Sequence, residues 1–530
     1  MNHQGPDQTA IRDRSHAPHG SVEVAISTNL NYMNAPSDSR STIARVGTVL
    51  GPLLALTAWA VLRESGGPDQ TGLGPAGTAT AAIAVWMATW WLTEAVPLAA
   101  TALLPVALFP VLGVADIRAS TAPYANPLIF LFLGGFLIGL GIQRFGLHRR
   151  IALMVLLRMG SGPRALIGGF MLAAALLSMW ISNTATAIMM LPIGASVLRL
   201  LEEHRTHETD ASCTPAEMRA FATALVLGIA YACSIGGMGT LVGTPPNLVL
   251  AAFVRERYGI DLGMLEWLWI GLPLVALLLP VTWWYLTRIA FRVPATPFPC
   301  GRDLIASELS DLGLMGRGER AALAVFVLTA LAWLLRPQLI SWTGIDGITD
   351  AGIAMIGALT LFVIPVDSGD RRFAMDWETA RQVPWEILIL FGGGLSLAGA
   401  IQANGVDAFI ASGLEGLGEL PTWLLVLTVT TLVVFLTEIT SNTAVTTTLL
   451  PVLAATAVAT GQPPGMLLTA AALAASCAFM LPVATPPNAI VFASGQVTIP
   501  QMARAGLGLN LIAILAVTLV VSVGARLFLT

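Results

Sequence analysis

The chain contains no lysine: all 27 basic residues among its 530 are arginine. Only 11% of residues are charged, against about a quarter in soluble domains, so an ordinary solvent-facing globule is excluded. The four cysteines, Cys213, Cys233, Cys300 and Cys477, are scattered with no paired spacing, which argues against a disulfide framework or a cysteine metal site. The six histidines, His3, His16, His19, His148, His204 and His207, all fall in the N-terminal stretch or between apolar runs. No apolar segment therefore gathers the His, Asp, Glu and Cys that a membrane enzyme would need, and the chain is read as a non-enzyme. A net charge of −4 brings no expectation of a nucleic-acid partner. Residues 1–42, rich in Ser, Asn, Asp and His, lack the charged-then-apolar layout of a signal peptide. They are expected to form a disordered cytoplasmic tail.

What the chain has instead is long apolar sequence: 55% hydrophobic residues and a mean hydropathy of +0.76. The runs approach the roughly 20 residues that cross a bilayer as helix, and they do not alternate, which excludes a membrane β-barrel. The candidate segments are 43–63, 77–94, 97–113, 127–147, 165–200, 220–254, 264–291, 320–336, 349–366, 385–403, 421–458, 464–495 and 505–528. Two of them, 165–200 and 421–458, are too long for one span and are read as re-entrant hairpins. Two more, 220–254 and 464–495, are read as spans broken midway. The fold class is thus an all-α polytopic membrane protein with about eleven transmembrane helices and two re-entrant hairpins. With the N-terminus inside and the C-terminus outside, 21 arginines face the cytoplasm and 6 the outside, as the positive-inside rule asks. The expected home is the plasma (inner) membrane.

The chain also repeats itself. Ser182-Asn183-Thr184-Ala185 recurs as Ser441-Asn442-Thr443-Ala444, and Thr-Pro-Pro-Asn stands at 244–247 and again at 485–488. A shift of 259 also carries Phe132, Gly134, Gly135, Ile142, Gln143 and Gly146 onto Phe391, Gly393, Gly394, Ile401, Gln402 and Gly405. The Thr-Pro-Pro-Asn copies are 241 apart, the difference being absorbed by the longer polar loop 201–219. After an extra N-terminal helix at 43–63, a first repeat covers 77–291 and a second 320–528. Each holds five spans, an odd number, so the second copy is expected to lie inverted, the architecture of alternating-access transporters.

Polar residues and prolines inside apolar segments mark a site by default. A Ser-Asn-Thr tip offers hydroxyls, an amide and the N–H dipoles of a helix start, which suit an anion, while carbonyls at the preceding helix end suit a cation. Pro245-Pro246 and Pro486-Pro487 forbid continuous helix and free carbonyls such as those of Gly243 and Ala484. Such residues often serve only as interhelical glue; duplication at matched positions favours a site. Glu438 has no counterpart, since the shift places Met179 there, and a structural hydrogen-bonding role is favoured for it over proton coupling. Glu94 and Glu386 are expected at helix ends, and Trp90, Trp91, Trp283 and Trp284 in an interfacial belt. Gly134-Gly135 and Gly392-Gly393-Gly394 point to close helix packing.

These tips and breaks, with Trp90-Trp91-Leu92-Thr93-Glu94-Ala95 and Phe391-Gly392-Gly393-Gly394, resemble the divalent-anion:sodium symporter family, INDY-like carriers that include sodium/dicarboxylate, citrate and sulfate cotransporters. The resemblance spans about 43–528 and implies a homodimer, an elevator motion and co-transported sodium ions. It maps one sodium site onto Ser178, Ser182, Asn183 and Gly243, and the other onto Thr437, Thr440, Asn442 and Ala484. Ser178 and Thr437 are themselves related by the shift of 259. The substrate, a small divalent anion, would lie between Ser182, Asn183, Thr184 and Thr244 on one side and Ser441, Asn442, Thr443 and Thr485 on the other. C4 dicarboxylates such as succinate, fumarate and malate suit two tips better than one tetrahedral anion. Proton coupling, exchange, and citrate, sulfate or another oxyanion stay open as alternatives.

Overall fold

A chain with so few charges must hide its backbone polar groups in its own helices, and the computed structural model is helical nearly throughout. It describes residues 42–64, 73–160, 162–207, 214–294, 301–367, 372–412 and 421–528. The expected tail lies outside these except for Thr42, as do Cys213 and Cys300. Among the described residues, eight helices are long and apolar enough to cross a membrane, or nine if Arg317–Leu334 and Arg336–Thr343, bent by 78°, form one span. Two of the eight, which begin at Asn183 and Asn442, are the second arms of the hairpins. The remaining apolar helices are shorter, among them Leu98–Val111, Asp350–Val363 and Pro464–Ala475. A short antiparallel pair, Pro365–Asp367 with Arg372–Phe373, provides the strands.

The structure departs from the sequence reading at two equivalent places. The helix expected over 127–147 stops at Arg144, Gly146 turns the chain at φ +71°, and a separate helix Leu147–Met159 follows. The shift of 259 reproduces this: Trp385–Ala403 ends, Gly405 turns at φ +71°, and Val406–Ser412 begins. Glycine takes this left-handed conformation without the Cβ penalty. Each extra helix is held by an ion pair. Arg150 is buried and grips Glu319 through Nε (2.9 Å) and Nη2 (3.1 Å), while its nitrogens also donate to the Gly313 and Leu312 carbonyls. In the second copy Asp407 pairs with Arg257.

The glycine runs do allow close packing. A methyl at Gly134 would fall 2.7 Å from the Ala354 carbonyl carbon, Gly393 abuts the Ala102 backbone, and Gly392 abuts the Tyr124 ring. The tryptophans divide. Trp284 is exposed, but Trp91 is fully buried and donates from Nε1 to the Leu98 carbonyl at 3.2 Å, so it belongs to the core rather than to a belt. Trp283 ties two helices by donating to the Arg164 carbonyl at 2.7 Å.

Gly236 lets the helix Pro215–Gly237 press against the backbone of Ala175 on Pro163–Ser178. Neither backbone can move aside, so Gly236→Ala should destabilise the protein by about 1–3 kcal/mol and lower its melting temperature in detergent. Gly399→Ala, inside the helix Trp385–Ala403 at a site with nothing within 4 Å, should leave the melting temperature the same or raise it slightly, since alanine favours helix over glycine.

Candidate functional site

Each Ser-Asn-Thr motif forms the tip between two helices. In the first, Pro163–Ser178 ends, 179–182 form the tip, and Asn183–His207 departs. In the second, Thr422–Thr437 ends, 438–441 turn, and Asn442–Ala459 departs. Ser178 donates to the Oδ1 of Asn183. The shift of 259 returns the same bond, with Thr437 Oγ1 lying 2.6 Å from Asn442 Oδ1. Thr437 Oγ1 is also 2.9 Å from the Ala475 carbonyl. One hydroxyl proton therefore faces two acceptor oxygens. Oxygens gathered with fewer protons than lone pairs are what an alkali cation needs.

The breaks are equally matched. Thr244 (φ −145°, ψ 142°) and Thr485 (φ −145°, ψ 149°) are both extended. The prolines that follow start the new helices where a missing N–H costs nothing. Unwinding strands the carbonyls between, and several of them find a donor elsewhere. Asn247 Nδ2 reaches the carbonyls of Gly237 (3.2 Å) and Thr240 (2.7 Å). Asn488 Nδ2 reaches those of Ala478 (3.2 Å) and Leu481 (3.1 Å). Trp267 Nε1 donates to Met238 O at 3.0 Å, and Tyr231 Oη donates to Phe479 O at 2.8 Å. None of these bonds ends on Gly243 or Ala484. A methyl on Gly237 would sit 2.7 Å from Asn183 Oδ1 and 3.1 Å from Gly243 O. Glycine there lets the amide of the first tip and the carbonyl of the first break approach each other.

The two halves pack crosswise: Asn183–His207 lies against Pro486–Ala493, and Pro245–Tyr258 lies against Asn442–Ala459. Thr244 Oγ1 comes within 3.5 Å of Ser476 Oγ in the other half. Ser476 was not anticipated, because the shift of 241 places apolar Ile235 opposite it. Other expected side chains are turned to local bonds. Ser182 Oγ accepts from Ala185 N (3.3 Å), Thr440 Oγ1 donates to Leu436 O (2.9 Å), and Thr485 Oγ1 accepts from Asn488 N (3.3 Å). Ser182, Asn183, Thr184, Ser441 and Asn442 are half-buried, while Thr443 is buried. No Arg, Lys or His lies within 10 residues of Asn183, Thr244, Asn442 or Thr485.

Glu438 serves the second break. Its Oε1 accepts from Phe479 N (2.7 Å), Met480 N (2.9 Å) and Asn510 Nδ2 (2.7 Å), and Oε2 from Leu481 N (3.1 Å). This is the hydrogen-bonding role expected of it, with Asn510 an unforeseen partner. In the first half the equivalent Met179 accepts from Thr240 through its carbonyl, and its methyl packs at Gly239.

The halves differ in cover. Trp180 stacks on Trp333 at 6.3 Å and meets Phe326 edge-on at 5.0 Å, and Val242 is buried beside Gly135. Their counterparts Ile439 and Val483 are 68% and 82% exposed.

Residues 54–529 match the family described as the sodium:sulfate symporter transmembrane region. The sodium-dependent dicarboxylate transporter SdcS of Staphylococcus saprophyticus is 42% identical over 478 residues, 90% of each chain. The protein of that name from Staphylococcus aureus MRSA252 is 41% identical over 483 residues, 91% of each chain. In three dimensions the chain is similar to the Alcanivorax borkumensis YdaH transporter, whose crystal structure is described as revealing an unusual topology. That match has a TM-score of 0.54 at 16% identity, covering 92% of this chain and 99% of the other.

Replacing Glu438 with Met, the residue at the equivalent position, leaves one buried and two half-buried backbone N–H groups without their acceptor. The expected loss exceeds about 3 kcal/mol, seen as a large fall in melting temperature in detergent. Glu438→Gln keeps one acceptor oxygen and should lose less; equal losses in the two variants would count against the capping role.

Proposed function

The chain belongs to the sodium:sulfate symporter family, and on that premise we propose that it is a sodium-coupled carrier of small dicarboxylates. The finer reading is uptake of C4 diacids such as succinate, fumarate and malate across the plasma membrane. The observation that carries it is the pair of oxygen clusters, Ser178–Asn183 beside Gly243 and Thr437–Asn442 beside Ala475, at tips with no Arg, Lys or His within 10 residues along the chain. Relatives at 42% and 41% identity are named sodium-dependent dicarboxylate transporters, which supports both the ion and the substrate class.

The chemistry follows from charge. A dianion among neutral donors in a dry site is poorly compensated. Sodium held by Ser178, Ser182, Asn183 and Gly243, and by Thr437, Thr440, Asn442 and Ala484, supplies the missing positive charge. The helix starts at Asn183, Pro245, Asn442 and Pro486 add their N–H dipoles. Ser182, Asn183, Thr184 and Thr244 then hold one carboxylate, and Ser441, Asn442, Thr443 and Thr485 the other. Because the cations complete the anion site, neither cargo binds well alone, and the two gradients become coupled. If more than two sodium ions accompany one dianion, each net charge moved inward gains about 2.3 kcal/mol per 100 mV.

Alternating access is supported by the unequal cover of equivalent residues. Trp180 and Val242 are packed away while Ile439 and Val483 are exposed, as in a carrier resting at one end of its travel. The hairpins and broken helices would then move as a body, in elevator fashion, within a homodimer whose N-termini face the cytoplasm. The five-span repeats 77–291 and 320–528 would lie inverted to each other.

The test is uptake of labelled succinate into proteoliposomes. We expect accumulation with an inward sodium gradient and little without one. Equal uptake in both conditions removes the symport reading; sodium-driven uptake of sulfate or citrate but of no C4 diacid removes the substrate reading. Asn183→Ala and Asn442→Ala should each raise the sodium concentration for half-maximal uptake roughly tenfold or more.

A further inference from the structure

The two asparagines that end the Thr-Pro-Pro-Asn motifs are fully buried and do the same thing in both halves. Each is the third residue of its helix, and each directs its amide nitrogen back to carbonyls ten and seven positions upstream: Asn247 to Gly237 and Thr240, Asn488 to Ala478 and Leu481. All three residues of one set map onto the other by the shift of 241. The loops they clamp otherwise differ, since Val242 is buried and Val483 exposed. The clamp has been kept where the surroundings have diverged.

The choice of side chain is chemically narrow. Two carbonyls turned out of a helix need two donors from one short, neutral group. Serine and threonine bring one donor, glutamine is a methylene longer, and arginine or lysine would put a positive charge beside a cation site. In both asparagines the remaining oxygen, Oδ1, is buried with no hydrogen-bond partner. Such an acceptor is unfavourable, so it is kept for the sake of the nitrogen on the same plane. What the nitrogen fixes is the course of 238–244 and 479–485, the loops that run to Gly243 and Ala484.

We infer that Asn247 and Asn488 are positioning residues for the two proposed sodium sites. Each sets the cation affinity of its own half by holding in place the loop that carries Gly243 or Ala484; in the first half that loop brings the Gly243 carbonyl to the same glycine, Gly237, that Asn183 Oδ1 approaches. This rests on the sodium reading above, and it adds a specific claim: the effect is confined to one half.

The test uses the full-length protein in detergent and follows melting temperature against sodium concentration, with choline chloride holding ionic strength constant. Asn247→Ala and Asn488→Ala should each raise the sodium concentration for half-maximal stabilisation about three- to tenfold, with Asn247→Ser and Asn488→Ser, which keep one donor, lying in between. Double variants locate the effect. Asn247→Ala combined with Ser178→Ala should fall short of the product of the single effects, whereas Asn247→Ala combined with Thr437→Ala should equal it. A lower melting temperature in choline with an unmoved sodium curve assigns the asparagines a purely structural role and overturns the inference, as do double variants that multiply equally in both pairings. Should an alanine variant aggregate, the serine variant is judged by the same criteria. Asn183→Ala separates the two levels: if its sodium curve shifts and that of Asn247→Ala does not, the positioning role alone fails, and if neither shifts, the sodium site fails with it.

Discussion

A helix broken inside apolar surroundings strands its carbonyls, and those carbonyls must be met from within the protein. This constraint organises everything around the two breaks. The Pro-Pro pairs make the breaks unavoidable, and donors have been gathered from distant elements to meet them: Asn247 and Asn488 from the following turn, Trp267 from the next helix, Tyr231 from the other half. The N–H groups freed at the second break are met in turn by Glu438. Each tip keeps one hydroxyl-to-asparagine bond, Ser178 to Asn183 and Thr437 to Asn442, and it is around these oxygens that the cation sites are proposed.

The duplication separates what the site requires from what each half has been free to change. The hydroxyl-to-asparagine bond, the extended threonine and the asparagine clamp recur at constant offsets. The residue before the tip does not: Met179 fills space against Gly239 where Glu438 collects N–H groups. Nor does the cover, with Trp180 in an aromatic cluster and Ile439 exposed. The elements that recur are those assigned above to the proposed binding sites. The elements that differ set how each half packs against the rest of the protein, and under the proposed alternating access that packing is unequal in any one state.

Much of this was legible in the chain because the offset of 259 is ungapped and needs no structure to detect. It put Ser178 opposite Thr437 and Asn183 opposite Asn442, and the structure joins Ser178 to Asn183 and Thr437 to Asn442 by the same bond. The turns at Gly146 and Gly405 were carried by that very alignment, yet the helices after them were missed. Hydropathy alone does not separate a helix end at a left-handed glycine from a helix that continues. Trp91 misled for a different reason. An aromatic near a helix end reads as interfacial unless a neighbouring element covers it, and that is decided by tertiary packing. Ser476 was hidden because its counterpart Ile235 is apolar, and Asn510 because it lies 72 residues from Glu438 along the chain; only the fold brings them to Thr244 and Glu438.

The lack of Arg, Lys or His within 10 residues of either tip along the chain bears on how the proposed carrier completes its cycle. An arginine in the site would compensate the anion permanently, but it would also leave an empty carrier with a buried, unpaired cation, whose movement through a low-dielectric region is strongly unfavourable. Such a carrier returns readily only with another anion, and is thereby an exchanger. A site built from hydroxyls, amides and carbonyls is neutral when empty and close to neutral when cations and dianion are bound together. Both forms can move, whereas a form holding the dianion alone cannot. Glu438, at the start of the second tip, turns its oxygens to the N–H groups of the break and to Asn510. Under the proposed sodium symport, net transport rather than exchange is therefore the mode that such a site favours.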